Sequence, residues 1–401
     1  MLRRLAAISS VLLVAFVAMP ARSARRPRYG GTLRVEIGAL IASLDVSVAA
    51  TTPEEAAAKT QIDTLIYDTK DAGAGFAGVA GSGLFRATDW EGGKHAILTT
   101  NSSRDDRPFL DSIEIIMGVS ARDRLLDLEL GKADFAEIPP QDARSATERG
   151  VRVSVSKPDE LLALVFNNAD SVAARNPGIR EAVAQSIDRA AIVNFILQKM
   201  GEAAGGLLPQ WSSGTAFLFG TANDPSRAKE LWSQISSSPT LGLGYDSADP
   251  LEQSLAERIV VNAREAGISM TALAIPNASL AKARGISQTR RIDVQLMRWR
   301  MPTSLPEDAL GSFVQDVASS LEITSGANLR AVPDSPSAQD IYNEQRAILD
   351  SYAVVPLVWV PRVYGLSARV RDWTVPGPGE PWPLADVWLD TDAAAVKRSQ
   401  N

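Results

Sequence analysis

The chain has 401 residues, with 41 lysines and arginines against 47 aspartates and glutamates, one histidine and no cysteine. Without cysteine there is no disulfide, no thiol nucleophile and no lipid-bearing cysteine, and a zinc site of clustered histidine or cysteine is excluded. The acidic balance argues against a nucleic-acid partner, and the length exceeds what one hydrophobic core usually serves, which predicts two lobes.

At the N-terminus Arg3 and Arg4 precede an apolar run from Val11 to Met19 and the stretch Ala21-Arg22-Ser23. This is the layout of a cleavable secretory signal over residues 1–23, with an uncleaved signal anchor as the alternative. The run is too short for a permanent span, and no later segment approaches the roughly 20 apolar residues one needs. Cleavage removes three arginines and no acids, moving the net charge from −6 to −9. The expected product is exported, soluble, periplasmic and not a lipoprotein.

Residues 30–37 alternate apolar and polar side chains, the period of a half-buried strand. Thr52-Pro53-Glu54-Glu55 reads as a capping box opening a helix that carries Ile62, Leu65 and Ile66 inward. Asn176-Pro177, Asp224-Pro225, Asp249-Pro250 and Ser335-Pro336 repeat the device and mark four further helix starts. From Pro250 the stripe Leu251, Leu255, Ile259, Ala263 runs to Gly267, a C-terminal cap. From Pro177 the stripe Ile179, Val183, Ile187 changes phase to Ile192, Ile196, Met200, which predicts two helices joined by a kink. Strands are predicted at 112–117, 161–166, 241–245, 268–274, 292–297 and 354–360. Alternating strands and helices favour α/β lobes with mixed sheets. Residues 161–166 and 357–360 are apolar on both faces, as central strands are, and mark the expected crossings between lobes.

Catalytic chemistry finds little to use. A serine triad would need His95, which the turn Gly92-Gly93-Lys94 delivers to a strand as a surface residue. All-carboxylate metal sites stay open, but no spaced Asp/Asn loop with a closing Glu appears. Gly73-Ala74-Gly75-Phe76-Ala77-Gly78 matches a dinucleotide fingerprint as a string but lacks its strand–turn–helix setting, and reads as a loop. Asn101-Ser102-Ser103 and Asn277-Ala278-Ser279 are glycosylation sequons by pattern only. The eight tryptophans stand out in an aromatic-poor chain. Trp299 ends one predicted strand and Trp359 lies in another, where α/β proteins hold small ligands or pack their cores. Trp373, Trp382 and Trp388 fall in a Pro-rich tail and read as packing residues.

Several blocks, in this order, resemble the family-5 extracellular solute-binding proteins, the oligopeptide and dipeptide receptors of ABC importers. Gly30-Gly31-Thr32-Leu33-Arg34-Val35 is similar to their mature start. Gly81-Ser82-Gly83-Leu84-Phe85 resembles their G-x-G-x-Y segment. Pro108-Phe109-Leu110-Asp111 and Leu130-Gly131-Lys132-Ala133-Asp134 resemble the steps that follow. Phe166-Asn167-Asn168, Ile179-Arg180-Glu181-Ala182-Val183, Ser186-Ile187-Asp188-Arg189 and Leu208-Pro209 carry the most specific likeness. Asp224-Pro225-Ser226-Arg227-Ala228-Lys229 and Val355-Pro356-Leu357 complete it.

The resemblance implies a two-lobed, type II-like periplasmic-binding-protein fold with a hinge of two crossing strands. Lobe I is expected at 24–162 plus 364–391, lobe II at 165–362 and a flexible tail at 392–401. It further implies capture of a small-molecule or peptide ligand for ABC permease subunits, by a monomer that is not an enzyme and uses no cofactor or metal. The alternative is a degenerate receptor kept as a periplasmic scaffold, sensor or chaperone. Expected ligand contacts are Tyr67, Asn167, Trp299 and Trp359, with Arg362 or Asp308 meeting any charge. Two departures stand out. The family's extra subdomain between first helix and G-x-G-x-Y segment is missing, and Arg300-Met301-Pro302 stands where oligopeptide receptors place an aspartate for the peptide amino group.

Overall fold

Four of the proline-capped starts, at Thr52, Asn176, Asp224 and Asp249, form as their chemistry dictates. Helix α1 (Pro53–Ile66) begins after Thr52, whose hydroxyl accepts the Glu55 amide. The Glu55 carboxylate does not close a capping box; it accepts the amides of Ala42 (2.9 Å) and Thr51 (2.7 Å), tying the preceding loop to the helix. Described by the computed structural model are residues 26–45, 47–67, 82–166, 171–213, 219–276, 292–325 and 337–390.

Strand β1 (Thr32–Glu36) precedes α1, and β2 (Phe85–Glu91), β3 (His95–Thr100) and β4 (Ser112–Ile116) follow. Then come α2 (Ala121–Glu129), β5 (Phe135–Ile138), α3 (Ala143–Glu148) and the long β6 (Arg152–Val165). Helix α4 (Val172–Arg175) leads into the expected kinked pair, α5 (Pro177–Ser186) and α6 (Arg189–Ala191), the latter continued by a π-helical turn Ile192–Ile196. Ile187 is extended and Asp188 recaps the chain through the Ala191 amide, so the stripe's phase change marks a real break.

Strand β7 (Glu202–Ala203), α7 (Gln210–Ser213), α8 (Pro225–Ser233), β8 (Leu241–Asp246), α9 (Pro250–Glu265), β9 (Met270–Ile275) and β10 (Val294–Arg300) come next. The chain ends with α10 (Pro306–Ser325), α11 (Ala338–Asp350), β11 (Val354–Leu366), β12 (Val370–Arg371) and β13 (Trp388–Leu389). Helix α11 is capped by Ser337 with a reciprocal Asp340 box. That cap lies two residues beyond the expected Ser335-Pro336, which falls outside the described residues. Gly267 (φ +80°) ends α9 as expected.

Instead of separate sheets, one mixed sheet runs in the order β2-β3-β4-β1-β5-β11-β6-β10-β8-β9, with β7 on β11 and a separate β12–β13 pair. Strands β4, β1 and β5 are parallel, as are β10, β8 and β9. The two crossing strands are longer than their apolar runs. One end of the β6–β11 ladder pairs Val165 with Val354, the other Arg152 with Leu366, and the register shifts around Pro356 and Pro361. Residues 152–157 are too polar to read as strand because they line the ladder's more exposed half.

Leu33, Val35, Ile62, Ile113 and Phe135 form one core with Leu366, Trp382, Leu384 and Leu389 of the returning chain. Trp373 packs tilted against Phe135 at 4.7 Å between centroids and Trp382 packs edge-on against it at 5.0 Å. At the sheet's other end, one face packs Leu162, Leu164, Leu243 and Leu296 under α5 and α9. The opposite face packs Leu161, Trp299 and Trp359 under α10 and α11.

The blocks of the resemblance are mostly frame. Gly83 donates its amide to Ile66 O (2.8 Å), so the chain beyond α1 returns to the end of that helix. A Cβ on Gly83 would lie 2.5 Å from that backbone, which only glycine tolerates. Buried Arg180 donates to the carbonyls of Ala174 (2.6 Å) and Ser351 (2.8 Å), and Arg189 to Pro356 O on β11 (2.7 Å). Asp134, fully buried, accepts from Arg34 (2.9 Å) and Arg369 (2.6 Å). His95 opens β3 half-exposed, 3.0 Å from Asp89. Among the described residues no helix is long and apolar enough to cross a membrane.

Candidate functional site

Strands β1 and β5 run toward the crossing region in one half of the sheet, and β8 and β10 run toward it in the other. Their carboxyl ends therefore meet at one junction, the position where open α/β sheets bind ligands. The junction is charged. Glu160, on β6 just before its apolar run, is 3% exposed and pairs in register with Arg300 of β10. It accepts Arg300 Nε at 2.6 Å and Arg298 Nη1 at 2.9 Å. Arg300 also reaches Glu137 at the end of β5 (3.1 Å), so a single guanidinium ties the two halves together. Arg298 continues to Asp249, the N-cap of α9.

Burial pushes the Glu160 carboxyl up, but Arg300 and Arg298 outweigh it and hold Glu160 at about 2. Two neighbouring acids move the other way. Burial, and next the Asp127 carboxylate, push Glu36 at the end of β1 up to about 7. Burial, and next Asp249, push Glu252 in the first turn of α9 up to about 8. Among the described residues no group of three or more His, Cys, Asp or Glu is placed to hold a metal. The arrangement is a network of mutually paired charges that links the two halves of the sheet at the crossing strands.

The raised carboxyls set a pH dependence. Folded Glu36 and Glu252 keep protons that the unfolded chain, near 4.5 for each, sheds. Their stabilisation is complete below about 4.5 and is lost as pH rises through about 7 to 8. The melting temperature is expected to fall between pH 5.5 and 8.5, and Glu252→Gln to flatten the upper part of that fall. Melting curves in a buffer series check this.

The structure distributes the expected contact residues unevenly. Tyr67 caps the end of α1, half-buried, its hydroxyl 3.4 Å from Leu44 O, and burial and Asp63 push it up to about 12. Asp308 is exposed in the first turn of α10. Asn167 lies outside the described residues. Trp299 and Trp359, expected to face a ligand, are 5% and 2% exposed and pack edge-to-face at 6.2 Å within the core under α10. Strand alternation sends Trp299 to that face and its neighbours Arg298 and Arg300 to the junction. Arg362, expected to meet a ligand charge, is 4% exposed and satisfied by Asp159 at 2.6 and 2.9 Å. It serves the hinge frame.

The charged set Glu137, Glu160, Arg298 and Arg300 was missed by sequence reasoning. Its signal was available: Asp159-Glu160 directly before an apolar strand, and two arginines at period two.

Two halves of an α/β chain joined by two long strands, with strand carboxyl ends converging on the joint, define the two-lobed type II binding-protein fold. The chain belongs to the bacterial extracellular solute-binding proteins, family 5, whose middle region matches residues 43–320. The oligopeptide-binding protein AppA of Bacillus subtilis (strain 168) is 27% identical over 127 residues, 31% of this chain. That match spans 23% of AppA's own length. The structure of AppA from Bacillus subtilis in complex with a nonapeptide has a TM-score of 0.70 at 12% identity, covering 91% of this chain and 100% of that one. NikA from Staphylococcus aureus in complex with Ni(L-His)2 has a TM-score of 0.66 at 16% identity, covering 84% and 75%. At such identities the structural likeness is one of fold.

Proposed function

We propose that this chain captures a small extracytoplasmic solute, a peptide or another small molecule, at the charged junction between two lobes. Lobe I comprises 24–162 plus 364–391 and lobe II 165–362. The closed form is presented to ABC permease subunits, the protein acts as a monomer after export and loss of residues 1–23, and it catalyses no reaction. The observation that carries this reading is the convergence of four strand ends from both halves on a junction bridged by Arg300. Closure around a ligand requires differential affinity for the closed state, and ion pairs spanning the joint supply groups that can rearrange with it. Tyr67 and Asp308, with surface to offer, are the contacts retained from the sequence reading, together with Asn167.

A scaffold, sensor or chaperone role draws on one observation, the shortness in sequence of the segment between Ile66 and Gly83, whose described ends meet through the Gly83 amide and Ile66 O. Thermal-shift screening against peptides, sugars, amino acids and metal chelates separates the two. A ligand at 100 times its Kd adds about 2.7 kcal/mol, so one responsive class is expected. Failure of every class would favour the scaffold.

A further inference from the structure

We propose that the turn 376–380 is a strap that biases the two lobes toward the separation seen here. The inference rests on the two-lobe reading above. The flanking chain belongs to lobe I, since Leu366, Trp382 and Leu389 pack with Leu33 and Val35. Gln61 of α1 pins its far end: the Trp382 amide donates to the Gln61 side-chain oxygen at 2.7 Å, and the Gln61 amide nitrogen donates to Glu380 O at 3.5 Å.

Between these anchors the turn leaves lobe I. Arg362, on the second crossing strand, donates to Pro376 O (3.3 Å) and Gly377 O (3.2 Å). Gly379, at φ +74°, then lies against Pro302, the residue two positions beyond the end of β10 in lobe II. A Cβ there would sit 1.8 Å from Pro302 O. The Gly377 amide, donating to the Glu380 carboxylate at 2.7 Å, closes the turn. Prolines at 376, 378 and 381 restrict it further. A stiff segment anchored in one lobe thus meets the other lobe backbone to backbone, across the joint. Relative rotation of the lobes displaces Pro302 from Gly379 and forfeits the contact, so the strap favours one arrangement over the others.

The chain's lack of cysteine allows clean labelling. Spin labels on Thr60→Cys in α1 and Gln253→Cys in α9, both exposed, report the lobe separation by dipolar distance measurement. Gly379→Ala wedges a methyl against Pro302 and is expected to displace the mean distance; Gln61→Ala unpins the strap and is expected to broaden the distribution. Gly93→Ala controls for backbone strain, because Gly93 has φ +71° with nothing within 4 Å of a Cβ; it is expected to leave the distribution unchanged. A Gly379→Ala protein that melts lower yet keeps the wild-type distances, with Gln61→Ala also unchanged, overturns the proposal. So does an equal displacement in Gly93→Ala. These distances are read without any ligand, so a failed ligand screen and a failed strap are separate results.

Discussion

Asp159→Ala is expected to cost about 3 to 5 kcal/mol of stability, because it strands a guanidinium in the hinge without its counter-charge. Arg362 is 4% exposed, and Asp159 Oδ2 accepts both its Nε and one terminal nitrogen, at 2.9 and 2.6 Å. The remaining partners, the Tyr364 hydroxyl at 2.8 Å and the carbonyls of Pro376 and Gly377, are neutral. They satisfy donors without compensating charge. Urea unfolding of the variant is expected to show the loss as a lower midpoint at an unchanged slope. Asp159→Asn, which keeps an acceptor, is expected to lose less. The pair Asp159→Leu with Arg362→Met is expected to recover part of the loss, since removing both charges removes the uncompensated one. A single Asp159→Ala costing under about 1 kcal/mol would mean that water reaches Arg362, and would place the pair among exposed ion pairs.

Trp299→Ala is expected to cost roughly 3 to 5 kcal/mol, the range for deleting a large aromatic from a packed core. The ring is 5% exposed and meets Phe313 edge-on at 5.1 Å and Trp359 at 6.2 Å. Its indole nitrogen donates to Asp316 at 3.0 Å, a bond that truncation also removes. Once folded, the variant is expected to bind any solute found by screening as the parent does. The opposite pattern, an unchanged melt with affinity lost, would return Trp299 to the set of ligand contacts.

Much of the local structure was legible in the sequence, for local reasons. A capping side chain before a proline satisfies a helix's first amides wherever it sits, and Asn176, Asp224 and Asp249 each do so. A run of apolar residues without alternation has to be covered on both faces, and residues 161–165 are. The junction was not legible, because its members meet only through strand register. Glu160 and Arg300 are 140 positions apart, and Glu137 and Arg300 are 163 apart.

The sequence by itself determined the α/β alternation, the helix starts at Thr52, Asn176, Asp224 and Asp249, and the family, since each depends on neighbours a few residues away or on the order of short blocks. Tertiary structure alone decided which face of β10 is core. With a side-chain period of two, Arg298, Trp299 and Arg300 must alternate, but nothing local says which side lies under α10. Packing of Phe313 and Leu161 on that side made Trp299 an interior residue and left the two arginines to join the lobes.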